Sequence, residues 1–151
     1  MPENSGLRIV ALCCQYCAYA AADLAGNLRM QYPAEVRVVL IPCTGKLDVL
    51  LVLGALEEGA DGIMAVGCLE GDCHFLEGNL NAKRRVGRIK ELLSSIGLEP
   101  DRVRMFNLSA AMAGSFVAAA KEMTEQISAL GPSPLRHTEK APVASSQENV
   151  L

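Results

Sequence analysis

Short apolar runs alternate four times with longer segments whose apolar positions recur at three- and four-residue steps. The first run, LRIVAL at residues 7–12, leads through a cysteine-rich loop into the helix formers of residues 21–31. The second, VRVVLI at residues 36–41, is rich in β-branched residues. It is followed by a loop over residues 42–48 and a helical segment over residues 49–58 that stops at Gly59. GIMAV at residues 62–66 predicts a third strand. A polar, glycine-containing loop follows over residues 67–78, then a helix over residues 79–96 ending at Gly97, with Pro100 beyond. The fourth unit is VRMFN at residues 103–107, a loop over residues 108–113 and a last helix over about residues 114–130.

Strands that alternate with helices imply a parallel sheet, because each right-handed crossover returns the chain to start the next strand in the same direction. The predicted fold class is therefore α/β, flavodoxin-like or Rossmann-like, with about four βα units and helices on both faces. Runs such as VVLIP, which lack polar alternation, predict strands buried on both faces. Beyond residue 131 the composition turns to Pro, Ser, Glu, Lys and His without apolar periodicity. The expected organisation is one βα domain over residues 1–131 and a disordered tail over residues 132–151.

A chain of 151 residues buries enough surface to fold without covalent staples. With 14 basic and 17 acidic residues its net charge is −3, the wrong sign for a dedicated nucleic-acid binder, and the 4% aromatic content offers no base-stacking surface. No secretion leader and no apolar run of about 18 residues is present, so the expected location is cytoplasmic, with no membrane partner. In a reducing compartment the six cysteines are better read as metal ligands or redox-active thiols than as disulfides.

Their positions carry more than their number. Cys13, Cys14 and Cys17 follow the first strand, Cys43 the second, and Cys68 and Cys73 lie in the loop after the third. In an open α/β sheet ligands bind outside the carboxyl ends of the strands, and an order of 2-1-3-4 makes these three loops neighbours. Cys13 continues its strand directly and equally suits a small core hydrophobe. Three chemistries fit the remaining set. A 2Fe-2S cluster needs four thiolates and finds five. A tetrahedral zinc site, holding a small interaction module together, also takes four, but only Cys14 and Cys17 have CxxC spacing. Thiol-disulfide exchange at Cys14 and Cys17 leaves Cys43, Cys68 and Cys73 without a role. Small residues beside the cysteines, Thr44, Gly45, Gly67 and Gly71, allow backbone amides to approach sulfur, and each loop opens into a helix N-terminus that favours negative charge. A flavin-phosphate or dinucleotide loop after the first strand is absent.

The stretches CQYCAYAAADLAG (residues 14–26), QYP (31–33), IPCTGKLD (41–48), EEGADG (57–62) and GCLEGDCHFLEGN (67–79) together resemble the delta subunit of methyl-viologen-reducing hydrogenase, over about residues 7–130. The resemblance implies an iron-sulfur protein with a 2Fe-2S cluster. Such a protein relays electrons between a partner oxidoreductase (hydrogenase, formate dehydrogenase or another module) and a heterodisulfide reductase A-like flavoprotein in an electron-bifurcating complex of anaerobic metabolism. Carried over by motif, the cofactor- and metal-binding positions are Cys14, Cys17, Cys43, Cys68 and Cys73, of which four suffice, with Cys13 outside the pattern. Gln15, Tyr16 and Ala18 depart from the family's more usual residues. The expected role is that of an electron-carrier subunit without its own substrate site.

Several neighbours have plainer readings. His74 can contact or ligate the centre, but an ordinary loop histidine that bonds backbone or faces a partner is the simpler expectation. Glu70, Asp72 and Glu77 read as a solvated acidic loop. Ala82, Val86, Ile89, Leu93 and Ile96 form the apolar stripe of the third helix. Lys83, Arg84, Arg85, Arg88 and Lys90 line the opposite face, as solvated surface or as a docking patch for an acidic partner.

Overall fold

A computed structural model describes residues 6–136. Strands β1 (Ile9–Cys14), β2 (Val36–Ile41), β3 (Gly62–Gly67) and β4 (Val103–Asn107) alternate with helices α1 (Ala18–Asn27), α2 (Val49–Glu57), α3 (Gly78–Ser95) and α4 (Ala113–Leu130). All strand pairs are parallel and the order is β2-β1-β3-β4. This is an α/β sheet of flavodoxin-like kind, and the chain reverses its direction of travel between β1 and β3.

The pleat sends alternate side chains of β1 and β3 to opposite faces. Ile9, Ala11, Met64 and Val66 join α1 and α4 in one core, built around Phe116, Met123 and Ile127. Leu12, Ile63 and Ala65 join α2 and α3 in the other, around Leu47, Leu56, Ile89 and Leu93. α1 meets the sheet through Ala18, Ala21, Ala22 and Ala25, a stripe at helical spacing whose small side chains let the helix lie close. Helix α1 begins three residues earlier than the sequence predicts, because Cys17 already caps it: the Ala21 N–H donates to the Cys17 carbonyl at 2.9 Å.

Three further expectations change. β1 runs on to Cys14, since small apolar thiols suit a central strand: Cys13 pairs with Leu40 and Val66, and Cys14 with Ile41. β2 is not buried on both faces. It forms an edge of the sheet, and none of the described residues covers its outer flank, so Val39 and Leu40 remain 42% and 49% exposed. On α3 the apolar stripe holds for Ala82, Val86, Ile89 and Leu93, whereas Ile96, the residue just past the helix end, faces outward.

The amino-terminal rim of the sheet is closed by one buried carboxylate. Asp61, fully buried before β3, accepts the Arg8 N–H at 2.8 Å and the Ser133 N–H at 2.8 Å and pairs with Arg136 at 3.2 Å. Buried Arg102 crosses beneath it, donating to the Asp61 carbonyl, to the Gly131 carbonyl and to the Glu99 carboxylate. Residues 132–136 of the expected tail are thus tied to the rim, and residues 137–151 lie outside the described residues. Removing the carboxylate strands the buried Ser133 N–H, the partly buried Arg8 N–H and a guanidinium. Asp61→Ala is expected to lower the unfolding free energy by about 3 kcal/mol, with Asp61→Asn losing less because one acceptor survives. Urea titrations followed by circular dichroism check this, and an Asp61→Ala loss below about 0.5 kcal/mol would show that the rim does not depend on Asp61.

Candidate metal centre

The opposite, carboxyl-terminal rim gathers the cysteines. Cys14 ends β1 and Cys68 follows β3, so both stand where the chain changes direction across the sheet, the usual place for a ligand in this architecture. Cys17 returns beside them because the loop between β1 and α1 is a single tight turn, closed by the Cys17 N–H on the Cys14 carbonyl. The Sγ atoms of Cys14, Cys17 and Cys68 all lie within 4.8 Å of one another, and Cys14 and Cys68 are 3.8 Å apart. That last distance matches the edge of a tetrahedron of sulfurs around a metal with bonds of about 2.3 Å.

Cys43 and Cys73 form a second group beside the first. Both sulfurs press on Gly78 at the start of α3: a methyl group there would overlap Cys43 Sγ and stand 3.2 Å from Cys73 Sγ. Glycine is required at this position for close approach, and a Cβ on Gly45 would likewise come within 2.9 Å of the Gly78 Cα. Cys13 stays apart in the α1/α4 core, where burial first and the neighbouring Cys14 second push its thiol up to about 12. All six thiols are buried and none is in a disulfide.

Burial raises the thiols of Cys17, Cys43 and Cys68 above their ordinary value, helped by the other sulfurs. Backbone N–H groups oppose it, those of Ala18 at Cys17, Gly45 at Cys43 and His74 at Cys68. The Gly45 contact measures 3.3 Å. At Cys73 burial acts in the same direction, but the N–H groups of Asn79, Phe75 and Gly78 outweigh it and hold the thiol below its ordinary value. The start of α3 therefore directs its free N–H groups at one sulfur, as a helix N-terminus does toward any anion. A site in which each group of thiols receives backbone N–H donors is suited to thiolates, and hence to a thiophilic metal or an iron-sulfur centre. The imidazole of His74 takes no part in the thiol group. It lies on the surface, stacked on Tyr16 with ring centroids 3.9 Å apart, and the residue serves the site through its backbone N–H to Cys68.

Three residues that the sequence does not single out for the site hold its loops. Buried Asn79 donates to the carbonyls of Cys68 and Leu69 at 3.1 and 2.9 Å, and Asn107, at the end of β4, reaches the Cys68 carbonyl at 2.7 Å. Arg85 leaves the solvated basic face expected for it and donates to the carbonyls of Gly45 and Leu47, pinning the Cys43 loop to α3. The available signal was weak. Asn79 follows the glycine that opens a helix, and Arg85 stands seven residues after that glycine, on the flank of the apolar stripe. Among the acidic loop residues, Glu70 pairs with Lys83 at 3.0 Å in solvent, which contributes little. Leu76 takes a left-handed backbone, φ +62°, at a cost of about 1 kcal/mol for a residue with a Cβ.

A family profile described as methyl-viologen-reducing hydrogenase, delta subunit, matches residues 9–131. The chain belongs to this family. A relative in Methanocaldococcus jannaschii, named as an iron-sulfur subunit of the vhu F420-non-reducing hydrogenase, is 51% identical over 128 residues, 85% of this chain and 96% of the relative. A protein of the same name in Methanopyrus kandleri is 47% identical over 124 residues, 82% of this chain and 94% of that one. In Methanosarcina acetivorans the similarity falls within a far longer polypeptide, the A component of the ferredoxin/F(420)H(2)-dependent CoB-CoM heterodisulfide reductase. Identity there is 40% over 124 residues, covering 82% of this chain but 16% of that protein. The delta-subunit domain thus occurs both as a separate hydrogenase subunit and as part of a heterodisulfide reductase polypeptide.

The Gly78 contact makes the thiol pair sensitive to a single methyl. Gly78→Ala is expected to weaken cobalt(II) binding by the metal-free protein at least tenfold, read from the thiolate-to-cobalt absorption, and Arg85→Met to weaken it less. Unchanged binding in Gly78→Ala would mean that Cys43 and Cys73 do not act with the other thiols.

Proposed function

We propose that the chain is an electron-transfer subunit that holds a 2Fe-2S cluster on four of the five thiols of Cys14, Cys17, Cys43, Cys68 and Cys73, with Cys13 as packing. Its partners in this reading are a heterodisulfide reductase A-like flavoprotein and a hydrogenase, formate dehydrogenase or other oxidoreductase module, within an electron-bifurcating complex. The carrying observation is the division of the sulfurs. Three lie within 4.8 Å of one another and a further two meet at Gly78, outside that group. One tetrahedral metal keeps all its sulfurs at one mutual spacing, whereas a two-iron centre takes two thiolates at each end. The names of the relatives, an iron-sulfur subunit of a hydrogenase and the A component of a heterodisulfide reductase, support the same reading.

Bound there, the cluster supplies a one-electron couple, which needs no substrate pocket. What the chain contributes is burial of the sulfurs, N–H donation from residues 18, 45, 74, 75, 78 and 79, and loops fixed by Asn79, Asn107 and Arg85. N–H donation favours the more negative, reduced state and so raises the potential. Thiol-disulfide exchange is disfavoured by access: Cys14 and Cys17 are 1% and 3% exposed, while exchange requires an approachable thiolate. No described helix is long and apolar enough to cross a membrane.

Anaerobically purified protein is expected to carry about two irons and two acid-labile sulfides per chain. Cys17→Ser or Cys43→Ser should bleach or shift the visible absorption and Cys13→Ala should leave it intact. One zinc per chain, or loss of iron in Cys13→Ala alone, would overturn the assignment.

A further inference from the structure

Directly outside the cysteines the surface carries a small aromatic platform. Tyr16, inside the CxxC turn, stacks on His74 at 3.9 Å, and Phe75 packs edge-on to both rings at 5.8 and 4.9 Å. Tyr16 and Phe75 are half exposed, and next to them Leu76 is 81% exposed. The platform grows from the same two loops that supply Cys14, Cys17, Cys68 and Cys73, which ties it in sequence to the thiols. Leu76 is the most informative member. A left-handed residue with a solvated side chain is ordinarily glycine or asparagine, and a leucine kept there bears a backbone penalty with no burial to offset it within this chain. Around the platform Asp72 and Glu77 are exposed, and neither enters an ion pair among the described residues. The patch is apolar at its centre and acidic at its rim, the pattern of an interface that meets a basic rim.

We propose that Tyr16, His74, Phe75 and Leu76 form the docking face for the heterodisulfide reductase A-type flavoprotein, which would meet it with an apolar spot ringed by Lys and Arg. This rests on the electron-transfer reading above and deepens it by naming the surface. The choice of occupant follows from the relatives. In Methanosarcina the same domain is one part of a heterodisulfide reductase A polypeptide, so its neighbour is held at high effective concentration by the chain itself. A separate subunit has to make that contact through its surface, and the platform includes Tyr16 and His74, the immediate chain neighbours of Cys17 and Cys73.

The test is titration of the full chain with the purified heterodisulfide reductase A-type flavoprotein of the same organism, by calorimetry, with iron content read on every sample. Leu76→Gly removes the side chain and relieves the left-handed strain, so it tests docking without burdening the fold. Leu76→Gly and Tyr16→Ser are each expected to raise the Kd tenfold or more at unchanged iron content, and Asp72→Lys to weaken binding and flatten its salt dependence. Leu50→Ser, at a 75% exposed apolar position on α2, should bind like the wild type. The proposal is overturned if Leu76→Gly and Tyr16→Ser bind within twofold of wild type, if only Leu50→Ser weakens binding, or if the wild-type chain does not bind the flavoprotein at all. Iron content decides the electron-transfer reading separately, so a chain that docks through this face yet carries no iron would sink that reading and keep the surface.

Discussion

The sulfurs of Cys14, Cys17 and Cys68 lie within 4.8 Å of one another in a buried place, with Cys43 and Cys73 converging on Gly78, and burial there works against thiolate charge. Desolvation dominates at Cys17, Cys43 and Cys68, and the mutual influence of the thiols adds to it. The chain answers with dipoles in place of cations. Backbone N–H groups from the start of α1, from the Cys43 turn, from the Cys68–Cys73 loop and from the start of α3 point at sulfur, and among the described residues no lysine or arginine does. Fixed dipoles of this kind stabilise negative charge without adding a mobile, strongly hydrated group to a buried site.

Such dipoles are useful only if the loops cannot relax away, and the loops are anchored through their carbonyls. Asn79 and Asn107 hold Cys68 and Leu69, and Arg85 holds the turn after Cys43. Gly78 allows the pair Cys43 and Cys73 to converge on the helix start. The sheet divides its duties between its two rims. Asp61 and Arg102 knit strand starts and the segment after α4 together at one rim, and the other is given over to thiols and to a surface that exposes Tyr16, Phe75 and Leu76.

Much of this was legible in the sequence because a βα repeat is a strong constraint. Once the strands are parallel, loops after β1, β2 and β3 must meet at one rim, and the spacing of the cysteines alone puts them there. The identity of the edge strand was not legible from VRVVLI itself, since an apolar run reads alike whether or not a neighbour covers it. Its exposure follows from strand order and from where the helices end. The anchors were hidden for a different reason. Asn79, Asn107 and Arg85 bind backbone carbonyls 11, 39 and 40 residues away, contacts that leave no periodicity and no motif. The basic Arg85 reads as part of a solvated or docking face, and only packing reveals that it is a strap.

Iron-edge X-ray absorption on the anaerobically purified chain reaches the central claim most directly. The account predicts iron surrounded by sulfur alone, with a single iron neighbour at short range, the signature of two irons bridged by sulfide and held by thiolates from three loops. Iron with nitrogen or oxygen neighbours and no second iron, or a zinc edge in place of an iron one, would contradict it.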